Sequence, residues 1–396
     1  MFTAYLKTAF FALILTAFAT AQAQDNHGDV DHHEQVVTDG GKVNTKEEIK
    51  SYIEHHLQDS HDFHLFSYTN DANERKHIGF PLPVMVWSSA GPKFFLSSKF
   101  HHDDNAQVLV KEGDATFFKL HSKIYELESG AAAVSYDGDH HPSNAHKVFD
   151  FSITKSVFGL LAVGLIIFLL FRSLARQYKI RSIPTGVGRV LEPLVLYVRD
   201  EIARPNIGEN KYRKFMPYLL TVFFLIWISN LLGLTPFGFN ITGQIAITSC
   251  LALFTFFIVQ FSANKDYWKH IFWMPDVPVL MKIVLIPIEL LGIFTKPFSL
   301  LIRLFANITA GHFVVMSLIA LMITLKAQFG AVVSTGLSVV LTLFISVIEV
   351  LVAFLQAFIF TMLSSLFIGM AVAEHDHHEH AGTEEDDVDE VRERFI

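Results

Sequence analysis

The chain has 396 residues, half of them apolar, including 38 phenylalanines, with only 18% charged and a formal net charge of −8. That profile excludes an ordinary soluble globule and reads as an integral membrane protein. A single cysteine, Cys250, excludes an intrachain disulfide framework. No Gly-x-x-x-x-Gly-Lys-Ser/Thr loop and no His-Glu-x-x-His pair occurs. The sequence thus carries no motif for nucleotide phosphates or for an intramembrane zinc protease.

In chain order, "MFTAYLKTAFFALILTAFATAQAQ" has Lys7, an apolar run from Ala9 to Phe18, and the small-residue site Ala21-Gln22-Ala23. This predicts a signal peptide over 1–23 rather than a first membrane helix, because the apolar core is too short to span. Residues 24–150 are polar and rich in His and Asp. "GFPLPVMVW" and "AQVLVKEGDATFFKL" predict short strands, hence a small exported, periplasmic domain with some β structure. Its histidines (His27, His32, His33, His55, His56, His101, His102, His140, His141) repeat no ligand spacing and read as surface residues, so no metal site is assigned.

A membrane domain follows over 151–372. Ile153 to Phe171 is the first span. Arginine and lysine crowd the segment after it, which marks the cytoplasmic side, and Val187 to Ile202 is amphipathic and predicted to lie along the membrane face. Phe215–Leu234 and Ile241–Phe261 are the next two spans, turned by "TPFGFNITG". The aromatic-bearing link "SANKDYWKHIFWMPDVP" leads to two apolar segments, Pro278 to about Leu325 and Val332 to Val372, each nearly twice a normal span and without an internal polar loop. Each is predicted to be one long, tilted helix, which makes five passages in all. The tail, 373–396, is acidic and His-rich and reads as a solvated cytoplasmic piece rather than a metal site.

The two long segments carry Glu289, Lys296, Ser299, Arg303, Asn307, His312, Glu349 and Gln356. Charges at the bilayer centre cost at least ~2.5–3.5 kcal/mol each on insertion scales, so they mark function or pairing. Glu289, Lys296 and Arg303 are seven apart and share one helical face, as do Glu349 and Gln356. In an antiparallel hairpin, Arg303 with Gln356 centres on position 329.5 and His312 with Glu349 on 330.5. Both centres adjoin "KAQFG", the polar, glycine-containing break from Lys326 to Gly330. His312 lies nine residues beyond Arg303, half a turn away in phase. The arginine is therefore predicted to face outward and the histidine to face Glu349 on the partner helix.

"LIRLFANITAGH", "EVLVAFLQAFIFTMLSSLFI" and "IPIELLGIFTKPFSLLIRLF" resemble the motifs of subunit a of F-type ATP synthases. The resemblance covers about residues 150–372. It implies an all-helical polytopic membrane fold whose last two long helices form a tilted antiparallel hairpin against the c-ring. It also implies two aqueous half-channels that carry protons to and from a ring carboxylate. Placed by motif, Arg303 is the ring-facing barrier arginine and Gln356 its neighbour. Asn307, His312 and Glu349 line the outer half-channel, and Glu289 and Ser299 the cytoplasmic one. Some bacterial members carry the acid and the imidazole exchanged relative to His312 and Glu349. The implied partners are the c-ring, the peripheral-stalk subunit b, the rest of the complex and membrane lipid. No cofactor, nucleic acid or directly bound nucleotide is implied, and the location is the bacterial inner membrane. The resemblance is silent on 24–150. A secondary transporter with a buried Arg/His/Glu site is the competing class, though the two halves show no internal repeat. A receptor-like anchor for the exported domain is a third, which leaves the intramembrane charges unexplained.

Overall fold

The computed structural model describes residues 59–373 apart from 70–74, 102, 129, 132, 138–141, 181–182, 236–239 and 274–277. The expected signal peptide, residues 24–58 and the tail from 374 lie outside the described residues. Strands and helices segregate along the described chain. Nine strands precede residue 151, and helices follow it.

The strands are β1 (Asp62–Thr69), β2 (Arg75–Pro81), β3 (Pro83–Ser88), β4 (Gly91–Leu96), β5 (Val110–Glu112), β6 (Ala115–Leu120), β7 (Lys123–Leu127), β8 (Ala145–Lys147) and β9 (Phe149–Asp150). They form a β1–β2 pair, a β4–β3–β9 sheet and a β5–β6–β7–β8 sheet, antiparallel throughout. In β3, Val84, Val86 and Ser88 face inward while Trp87 is exposed, the two-residue alternation of a half-buried strand. Gly113 at φ 64° supplies the left-handed turn between β5 and β6, whose last pair is Glu112 opposite Ala115. Both stretches expected to be β therefore hold strands. The sheets close on Phe95, Phe100 and Phe117, with Val84, Val86 and Ile124.

β9 runs almost directly into α1 (Lys155–Ile180). This helix continues nine residues past the expected end of the first span. Hydropathy marks where lipid ends, but Arg, Gln and Lys are good helix formers and do not stop the helix there. α2 (Val187–Tyr197), a π-helical turn (Val198–Ala203) and α3 (Arg204–Ile207) follow. The amphipathic stretch expected along the membrane face packs into the helical core. Val198, Ile202 and Ala203 are completely buried in the main helical core. The Ser365 hydroxyl donates to the Ile202 carbonyl at 3.0 Å. A Cβ on Gly369 would fall 1.9 Å from the Asn206 carbonyl oxygen, so only glycine permits this approach.

α4 (Tyr212–Gly233) and α5 (Ile245–Ser262) are the next two apolar helices, and the short α6 (Lys265–Phe272) forms part of the link. Last comes α7, Val279–Val372, a 94-residue helical run broken at Gly330, where φ 78° and ψ 165° leave the helical region. Its limbs, 279–329 and 331–372, fold back on each other. The Ser338 hydroxyl donates to the Leu318 carbonyl at 2.5 Å. A Cβ on Gly311 would meet Glu349 Oε1 at 2.7 Å. Lys296 Nζ sits 5.6 Å from the Phe367 ring centroid. These three contacts centre on positions 328, 330 and 331.5, so the turn falls where the polar break predicted it.

Among the described residues five helices are long and apolar enough to cross a membrane: Lys155–Ile180, Tyr212–Gly233, Ile245–Ser262, Met281–Leu318 and Val332–Val372. The last two, of 38 and 41 residues, exceed the ~20 residues that cross a ~30 Å hydrocarbon layer upright. The far end of the second limb is fastened. Lys211 Nζ and Asn264 Nδ2 donate to the Val372 carbonyl at 2.8 and 2.9 Å, and the Asn264 N–H donates to the Ala371 carbonyl at 2.8 Å. A cation and an amide thereby satisfy carbonyls that a helix C-terminus leaves open.

Candidate functional site

The first limb has two faces. Leu300 and Leu304 are buried in the core with Leu219, Val222 and Phe223 of α4 and Ala357 and Phe360 of the second limb. On an adjoining face Ser299, Arg303, Ala306, Asn307 and Ala310 are exposed. They recur at the three- and four-residue spacing of one helical stripe. Arg303 is thus the cation of a stripe built otherwise from small or uncharged residues, at the middle of the hairpin. Among the described residues it has no hydrogen-bond or ion-pair partner. Asn307 stands one turn further on the same stripe.

Gln356 lies at the height of Arg303 by the limb register but is 3% exposed, between Ala353, Ala357 and Phe360. The two residues share a level and differ in face. Glu289 and Lys296 are half-buried toward the far end of the first limb. Tyr267 of α6 and Lys296 both lie within electrostatic reach of Glu289.

Glu349 and His312 occupy the hairpin level nearer its tip, both half-buried. The Glu349 carboxylate packs on Gly311, and its Oε1 is buried without a hydrogen-bond partner. The pairing expected from the register is displaced by one residue. The acid meets the glycine before His312, because successive side chains on a helix are turned by about 100°. No hydrogen bond or ion pair joins His312 to Glu349 among the described residues. His312 instead lies within electrostatic reach of Lys155 at the start of α1.

Sequence reasoning missed several polar groups in the membrane helices. Ser229 Oγ, Asn230 Nδ2, Thr309 Oγ1 and Thr342 Oγ1 are buried without hydrogen-bond partners, while Thr242 donates to Asn230 Oδ1 at 2.5 Å. Buried polar groups that lack protein partners call for water, and in a bilayer water needs a path. Lone Ser, Thr and Asn residues in apolar helices carry no spacing signal, so the pattern appears only once the helices are packed. Lys155 was missed too, because it stands at the edge of a span where a lysine reads as an interface anchor.

These features define a polytopic membrane protein with a charged hairpin: a cation on an exposed face, and a half-buried acid and imidazole at a separate level. Residues 157–369 match the family model described as ATP synthase A chain. The chain belongs to that family. Relatives called ATP synthase subunit a are 48% identical over 239 residues in Pelodictyon phaeoclathratiforme and 47% identical over 242 residues in Chlorobium phaeobacteroides. The matches cover 58% and 59% of this chain and 68% and 70% of those proteins. Residues 52–151 match a separate model, described only as a domain of unknown function, DUF8433.

Proposed function

We propose that this chain is the proton-translocating stator subunit of an F-type ATP synthase and that Arg303 is its barrier. The observation that carries this reading is the exposed, unpartnered guanidinium at mid-hairpin. A guanidinium stays charged in proteins, so it carries no proton through. Left open on a membrane face, it needs an anionic partner from another chain, and a carboxylate of the c-ring fits. Beside Arg303 that carboxylate is held ionised and gives up its proton. The fixed cation also interrupts any continuous proton wire between the two sides. The small residues around it, Ser299, Ala306 and Ala310, let a partner helix come close.

In this reading His312, Glu349 and Asn307 belong to the outer half-channel, and Glu289 with Ser299 to the cytoplasmic one. Gln356 supports the barrier from the core side. Residues 1–23 are a signal peptide, 24–150 a periplasmic domain, 151–372 the membrane domain and 373–396 a cytoplasmic tail, in a bacterial inner membrane. An odd number of passages supports opposite sides for the two ends of the chain. The chain works with the c-ring, subunit b and the remainder of the complex. By itself it catalyses no reaction and needs no cofactor.

Arg303→Ala tests the reading. The complex should assemble, while ATP-driven acidification of inverted vesicles disappears and passive proton permeability rises. Normal ATP-driven pumping by the assembled Arg303→Ala complex would overturn it.

A further inference from the structure

The β part of the molecule is seated on the membrane helices, and the seat is charged. Phe63 and Leu82 form one buried cluster with Val163 of α1 and Ile241. The Phe63 and Phe80 rings pack on Phe158 of α1 at centroid distances of 6.0 and 5.3 Å. Beside this apolar contact the Lys155 N–H donates to the Ser60 carbonyl at 2.9 Å, and the Ser156 N–H donates to Asp59 Oδ1 at 3.0 Å. His61 is 3% exposed. Its Nε2 lies 2.6 Å from Asp150 Oδ2, while its Nδ1 is buried with no hydrogen-bond partner.

The groups facing this histidine come from several elements. Asp150 ends β9, and Asp59 precedes β1. Lys119 of β6 faces it too, 3.2 Å from Asp62 and 3.8 Å from Asp104. Lys147 of β8 acts on Asp150, and Lys155 acts on Asp59. Lys155 also lies within electrostatic reach of His312, whose neighbour Gly311 packs on Glu349. Asp150, His61, Asp59 and Lys155 are therefore gathered at the junction between the β part and α1, and Lys155 lies within electrostatic reach of His312 on the hairpin.

Docking alone does not account for this. Apolar contact suffices to hold two parts together, whereas buried ion pairs at best break even against apolar residues of similar size. A buried imidazole with one nitrogen fixed by a carboxylate and the other unpartnered is arranged to take up and release a proton. We propose that protons reach the outer half-channel through this cluster, with His61 and Asp59 as the collecting groups and Lys155 as a positioning residue between them and His312. A proton arriving from the outer side binds the unpartnered Nδ1 of His61, moves to the Asp59 carboxylate and leaves toward His312. Asp150 and Lys119 keep their charges throughout, so no net charge is left behind. The inference rests on the proton path through His312 and Glu349 proposed above.

The test uses the complete synthase in sealed vesicles. ATP synthesis is driven by an imposed proton gradient while pH is varied on the side of the β part, and each rate is normalised to assembled complex. In His61→Gln and Asp59→Asn the rate should fall about tenfold near neutral pH, and the half-maximal pH should move about one unit toward acid, the loss expected when a collecting group is removed. Lys155→Gln should shift the profile as well, and Lys155→Arg should restore it. A purely structural role would lower the amount of assembled complex and leave the normalised profile in place. Where His61→Gln does not assemble, Asp59→Asn and the two Lys155 variants decide the question in the same way. Profiles that superimpose on the parent's in Asp59→Asn and Lys155→Gln would overturn the proposal. If Glu349→Gln also left the rate intact, the underlying path would fall with it. If Glu349→Gln stopped synthesis, only the collecting role of the cluster would fall.

Discussion

The β part and the hairpin both place charged groups among apolar residues, and they treat them in opposite ways. In the β part the buried Lys119 and His61 have acidic partners. Lys119 meets Asp62 and Asp104, His61 meets Asp150, and Glu126 accepts from the Ser89 hydroxyl and lies 3.3 Å from His146. In the hairpin the Arg303 guanidinium has no hydrogen-bond partner among the described residues, and Glu349 Oε1 is buried without one. A paired ion fixes the structure around it, because removing either partner strands the other. An unpaired ion in a membrane protein awaits something that arrives, such as a proton or another chain's carboxylate. Pairing thus separates the charges of the β part, which are held by counterions within the chain, from those of the hairpin, which are not.

Three substitutions or conditions sharpen that division, ranked by their expected effect on the fold. Lys119→Met leaves Asp62 and Asp104 facing each other without their shared ammonium. Losing one partner of a buried network costs ~3–5 kcal/mol. Hydrogen exchange in β6 and β7 should accelerate accordingly, and unchanged protection would remove Lys119 from the charges that hold the fold.

Raising the pH should act more gently. Burial opposes the His61 imidazolium, but the hydrogen bond and charge of Asp150 outweigh it and raise the pKa of His61 above the ordinary 6.5. Its contribution to stability is complete below that ordinary value and is lost as pH rises through the raised one. Burial likewise opposes the Asp150 carboxylate, yet His61 and Ser152 hold its pKa below the ordinary 3.8, so its contribution is present above that value and is lost only as pH falls through the lowered one. Burial raises the pKa of Asp59, so its contribution too is lost as pH rises through the raised value. The seat of the β part should therefore loosen toward alkaline pH. Protease susceptibility of the β1–β2 region, compared at about pH 6 and about pH 9, reads this out. Equal cleavage would show that the ion pair does not hold the seat.

Glu349→Gln should disturb the fold least, within about 0.5 kcal/mol, because no counterion is stranded. Proton-driven ATP synthesis should nevertheless fall about 10²-fold, as for removal of a proton-transfer group. A destabilised complex with normal synthesis would invert the assignment of Glu349.

Much of the helical half was legible from sequence because its signals are local. Apolar length gave the five spans, and the glycine at 330 closes the polar break because its positive φ suits a residue without a side chain. The seven-residue spacings placed Arg303 on a face and at a level. The junction was not legible, since its contacts are remote in sequence: Asp59 meets Ser156, and His61 meets Asp150 across 89 positions. His61 looks like one more histidine in a His-rich region. The displacement of the Glu349 contact from His312 to Gly311 also escaped the spacing, because register fixes height along two helices and leaves rotation to packing.

The fastening of the second limb has a mechanical meaning. A rotor that turns against a stator pushes it sideways with each step. At Gly369 the limb bears directly on the carbonyl of Asn206, main chain against main chain, and its last turn is tied through Val372 to Lys211 and Asn264. In the reading proposed above, force on the hairpin passes into the rest of the chain at these points, and at Gly369 it does so with no side chain between the two backbones.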